Sequence, residues 1–149
     1  MEADVLRDSE AFLVQLRRMR LEIVGWAIRR LGTTGVNFPQ YALLAVLDEM
    51  GEATMTALAG RLGTTLGAAT NLVDRLVRSG HVERERSTTD RRVVNVRCTA
   101  KGRELLGEVT TDTAAFLGGL FGQVPPEDRR TVIEVCRKIV ALMDAGGGA

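Results

Sequence analysis

Histidine occurs once in these 149 residues, cysteine twice and serine three times. A single histidine, His81, cannot make a His-rich metal site. Cys98 and Cys136 form no CxxC pair, which excludes a disulfide scaffold and a zinc ribbon. Ser9, Ser79 and Ser87 lie outside any GxSxG, and neither a P-loop nor a GxGxxG occurs. No nucleophile is supplied with its base, so no enzyme, catalytic residue, cofactor or metal is expected. The longest apolar run, Tyr41 to Leu47, is far short of the roughly 20 residues that cross a bilayer. Glu2, Asp4 and Asp8 stand where a secretory signal needs basic and then apolar residues. A cytoplasmic protein with no membrane partner is the expectation.

What is present is an ordinary globular balance, 45% hydrophobic and 26% charged, which argues against disorder. The length suits about one domain. Net charge is only +1, yet it is unevenly placed. Residues 1–53 carry −2, residues 54–103 carry +6, and residues 104–149 carry −3. Nine of the ten central cations are arginines. A basic centre between acidic flanks is the footprint of a polyanion-binding module.

Apolar residues from Val5 to Leu31 recur at steps of three and four, which predicts one long amphipathic helix ending near Gly32. Pro39 suits the first turn of a second helix that stops at Gly51. Thr54 can cap a short helix with Leu58, Ala59 and Leu62. Thr65 can cap another, with Leu66, Ala69, Leu72, Val73 and Leu76 inward and an end at Ser79-Gly80. Residues 82–86 and 91–98 read as two strands joined by the turn 87–90, a hairpin. Thr99 can cap a long helix, and Pro125-Pro126 opens the last one before a flexible tail at 146–149.

Two short helices joined at a glycine and followed by an arginine-rich hairpin make a winged helix-turn-helix. Ala59 supplies a small side chain at the helix crossing, and Gly63 tolerates the left-handed backbone of the turn. Residues 58–105 resemble the MarR family of bacterial transcriptional regulators. The specific pieces are Leu72-Val73-Asp74-Arg75-Leu76, Gly80, and Asp90-Arg91-Arg92 running to Thr99-Ala100-Lys101-Gly102. Cys98 departs from the family's usual leucine, and Gly67-Ala68-Ala69 begins the recognition helix without charge.

The resemblance implies a mainly α fold with a small β-hairpin wing. Residues 1–32 and 104–145 would form a dimerisation layer, and residues 37–103 the DNA-binding lobe. It implies a homodimeric regulator of double-stranded, pseudo-palindromic DNA, with a repressor favoured over an activator. The helix from Thr65 would enter the major groove, presenting Thr65, Gly67, Ala68, Thr70, Asn71 and Arg75. Arg92 matches the family's minor-groove arginine. Asp90 matches the acid that holds the wing, with Arg75 as its partner. Arg84, Arg86, Arg91 and Arg97 are placed for phosphates, which position without reading sequence.

Two alternatives within regulation remain. Some relatives sense oxidants through a cysteine in the first helix; this first helix has none, and Cys98 and Cys136 read as small buried residues. Many relatives release DNA on binding a small aromatic or phenolic effector. Trp26, Phe38, Tyr41 and Met50 are candidates to line such a cleft, with Arg20 or Arg29 to meet an anion. The same aromatic residues equally suit core or interface packing.

Overall fold

The computed structural model describes residues 3–86 and 94–146. The elements run α1 (Ala3–Leu31), α2 (Phe38–Met50), β1 (Glu52–Thr54), α3 (Met55–Leu62), α4 (Leu66–Arg78), β2 (Val82–Arg86), β3 (Val94–Cys98), α5 (Ala100–Phe121) and α6 (Pro126–Gly146). The mainly helical fold with a β wing is as the sequence predicts. The sheet has three strands, however, in the order β1-β3-β2, both pairings antiparallel. The expected hairpin is therefore its β2–β3 half, and β1 adds to the free edge of β3.

Local chemistry sets the helix ends. Asn37 and Gln40 form a reciprocal capping box at α2: Asn37 Oδ1 accepts from Gln40 N at 3.0 Å, and Gln40 Oε1 accepts from Asn37 N at 2.9 Å. Thr54 caps α3 by accepting from Ala57 N at 3.2 Å, and Thr65 caps α4 by accepting from Ala68 N at the same distance. Between them Gly63 has φ +62°, a left-handed residue at the turn. Thr99 caps α5, its Oγ1 accepting from Gly102 N at 3.2 Å.

The chain divides into two compact units, one ending at Thr111 and one starting at Asp112. In the first, Leu43, Leu44 and Leu47 of α2 meet Leu58 of α3, Val73 and Leu76 of α4, and Val82 and Val96 of the sheet. Each fully buried Leu or Val side chain here contributes roughly 1.5–3 kcal/mol of apolar transfer. This core fixes the relation of α4 to the sheet, and so of recognition helix to wing. In the second unit, the Arg129 guanidinium donates to the Phe121 carbonyl at 3.0 Å and holds the turn before α6.

Three expectations need correction. Leu66 does not point inward; it is 52% exposed at the start of α4, where the helix has left the core. Cys136 is exposed rather than buried, because α6 has no buried residue at all. Gly146, expected to begin a flexible tail, is instead the last residue of α6; residues 147–149 lie outside the described residues.

Candidate nucleic-acid interface

The turn at Gly63 and the cap at Thr65 set α4 so that Ala69, Val73 and Leu76 are buried and the opposite face is open. That face presents Thr65, Gly67, Ala68, Asn71 and Arg75, all exposed, and Thr70, half-buried. The Thr70 hydroxyl donates to the Leu66 carbonyl at 2.7 Å. Its methyl and its remaining lone pairs are left for a ligand. Asn71 and Arg75 lie one helical turn apart and carry the two side-chain types that pair bidentately with adenine and guanine. No Cβ contact crowds Gly67, so its surface admits a close approach.

The wing joins this helix through a charged pair. Asp74 Oδ1 and Arg84 Nη2 lie 2.5 Å apart, linking α4 to β2. Arg84, expected to hold phosphate, is also engaged by this carboxylate of α4. Arg97 departs further from expectation. Its Nε donates to Glu83 Oε1 at 2.7 Å, and its Nη1 lies 3.1 Å from Glu85 Oε2. The Glu83 hydrogen bond, with Glu85, Glu83 and Glu52 adding attraction, holds the Arg97 guanidinium above its ordinary pKa. Arg86 is exposed at the far end of β2 and makes no ion pair among the described residues. Asp90, Arg91 and Arg92 lie outside the described residues, and with them the expected Asp90–Arg75 pair.

The C-terminal end of α4 is bolted to α5. Lys101 Nζ donates to the Ser79 carbonyl at 2.7 Å, and Thr99 Oγ1 donates to the Gly80 carbonyl at 2.7 Å. Gly80 adopts φ +79°. His81 is buried, with Nδ1 2.8 Å from Ser79 Oγ. Burial, and secondarily the Lys101 charge, pushes its pKa below the ordinary value.

A cleft of about 740 Å³ opens beside this junction, lined by Ile28, Leu31, Val36 and Phe38 and by Arg75 and Arg78 among others. Of the expected effector residues, only Phe38 lines it. Tyr41 packs beside Phe38, ring centroids 6.3 Å apart, and its hydroxyl is hydrogen-bonded with Thr110. Trp26 is half-buried on α1 and Arg20 is exposed, and neither lines the cleft. Arg78, which the sequence reading did not single out, does. Cys98 is buried in β3, its thiol pushed up to about 11 by burial.

The comparisons with known proteins agree with this geometry. Residues 36–94 match the model of the MarR family. The HTH-type transcriptional regulator TtmR of Methylorubrum extorquens is 36% identical over 94 residues, 63% of this chain and 48% of TtmR. The transcriptional repressor MprA of Escherichia coli K12 is 26% identical over 118 residues, 78% of this chain and 67% of MprA. The solved structure of a MarR family protein from Bacillus stearothermophilus is 25% identical with a TM-score of 0.82, covering 97% of this chain and 99% of that one. The chain thus spans about half the length of TtmR. Both named relatives are transcriptional regulators.

Proposed function

We propose that this chain, whose residues 36–94 match the MarR family, is a sequence-specific, DNA-binding transcriptional regulator acting as a homodimer. The observation that carries this reading is the open face of α4, with Asn71 and Arg75 at its centre and Arg86 of β2 beyond it. The helix would lie in the major groove, and the wing would reach the neighbouring minor groove. Assembly with a second copy is supported by apolar side chains left uncovered on α1 and α6. Phe12, Leu13, Leu16 and Met19 of α1 are exposed, as are Val132, Ile133, Ile139 and Val140 of α6. Helix faces with so many exposed apolar side chains suit a partner, and two DNA-binding heads related by a two-fold axis would match half-sites about one helical turn apart.

Repression is the favoured direction, in keeping with the similarity to the transcriptional repressor MprA. A regulator of this kind blocks transcription by occupying its site. An effector reading is supported by the cleft at Phe38, whose apolar wall and two arginines suit a small aromatic anion. Redox sensing through Cys98 has no such support, since a buried thiol with a raised pKa holds little thiolate.

Selection of bound sequences from random duplex DNA tests the reading. The expected result is an enriched inverted repeat bound by a dimer in sedimentation. Failure to enrich any sequence, or a monomer at micromolar concentration with undiminished affinity, overturns it.

A further inference from the structure

The two faces of the three-stranded sheet carry opposite charge. Register pairs Glu52 with Arg97 and Arg97 with Glu83, and Glu85 with Asn95, so these residues share one face. That face is exposed and, among the described residues, holds three carboxylates against one guanidinium. The other face carries Ala53, Val82, Val96 and Cys98 into the core and then Arg84 and Arg86 outward along β2. Alternation in Val82-Glu83-Arg84-Glu85-Arg86 thus sorts glutamates to one side and arginines to the other.

Arg97 sits between Glu83 and Glu85, bonded to both. Glu52 lies on its other side and accepts a hydrogen bond from Asn95 Nδ2. A guanidinium so surrounded has no free charge to neutralise a phosphate. The carboxylates around it repel a phosphate backbone directly.

We propose that this outer face is a selectivity element: Glu52, Glu83 and Glu85 around Arg97 keep duplex phosphates off one side of the wing, so that DNA engages only the side bearing Arg84 and Arg86. The proposal rests on the DNA-binding reading above. Non-specific affinity follows the number of phosphates that cations can reach in any orientation. Operator affinity follows contacts made in one orientation. Like charge on the wrong face therefore suppresses the first more than the second and raises their ratio.

The test measures binding of the whole chain to a random-sequence duplex and to its selected operator, across salt concentrations. In Glu83→Gln/Glu85→Gln, Arg97 is released. Non-specific affinity should rise several-fold, and the slope of log affinity against log salt should steepen by about 0.9, the value for one added phosphate contact. Operator affinity should rise less, so specificity falls. Arg97→Gln alone should leave the slope unchanged, and adding it to the double variant should restore the wild-type slope. An unchanged slope in the double variant overturns the proposal, as does a slope flattened by about one unit in Arg97→Gln. The Arg97→Gln result decides alone if the double variant fails to fold. A wild-type chain that binds no duplex at low salt overturns the DNA-binding reading and this proposal with it. A wild type that binds, with unresponsive variants, overturns this proposal only.

Discussion

Asp74 of the recognition helix and Arg84 of the first wing strand are ion-paired, Oδ1 to Nη2, at 2.5 Å. The pair is partly solvent-exposed, so its worth to folding is about 0–1 kcal/mol. Its proposed use is alignment, because it ties the wing to the helix proposed to read bases. Asp74→Ala should therefore weaken operator binding several-fold while moving the melting temperature little. Simple electrostatics predicts the reverse sign, since removing an anion near phosphate tightens binding. Titration of the variant on operator DNA decides; tighter binding would reject the alignment role.

Asn71 and Arg86 separate reading from holding. Asn71→Ala should cost roughly 1–3 kcal/mol at the base pair it contacts and relax the selected sequence there. Arg86→Ala should weaken all sequences alike and flatten the salt slope by about 0.9. An unaltered selection profile for Asn71→Ala would remove it from the reading face.

Gly102, in the first turn of α5, packs against the His81 backbone that follows α4 and against Leu44 of α2. A Cβ there would stand 2.3 Å from the His81 carbonyl oxygen and 3.0 Å from Leu44 Cδ2. Neither the backbone nor the core leucine can yield cheaply. Gly102→Ala should destabilise the fold by roughly 1–3 kcal/mol, the usual range for overpacking. Thermal melting should register this as a loss of several degrees.

His81 predicts an acid limb in stability. Its folded pKa lies below the ordinary value of 6.5, from burial and from Lys101. Arg30, Glu104 and Glu108 line the same small opening. The unfolded chain then takes up a proton first, so this contribution is complete above about pH 6.5 and is lost as pH falls through the folded value. Denaturant midpoints should decline from neutral pH downward, and His81→Gln should flatten that decline. An unchanged pH profile in the variant would assign the acid limb to other groups.

Much of the fold was legible because its signals are local. Thr54, Thr65 and Thr99 each sit one position before a helix they cap, and Gly63 marks a turn that only one backbone region fits. β1 was not legible. Glu52-Ala53-Thr54 is too short to show alternation and is a strand only because β3 offers an edge. Leu66 misled for a related reason: helical periodicity says which residues share a face, but not where the core stops covering it. The open face of α4 followed from that periodicity, whereas the partners of Arg84 and Arg97 did not. Asp74 lies ten residues from Arg84, on another element. Glu83 lies opposite Arg97, and setting Val82 against Cys98 in the hairpin would have found it.

α6 is a 21-residue helix with no buried residue. Helices of this length gain little from propensity alone and depend on packing of an apolar face. In the proposed homodimer such a segment would acquire its stability when the second copy covers it, so that ordering and association would be one thermodynamic event. Thermal midpoints then climb with protein concentration, as mass action requires. For the proposed homodimer, protein abundance would thereby enter the response: a diluted pool would lose its C-terminal packing and its paired DNA-binding heads together, giving occupancy a threshold that no single contact with DNA supplies.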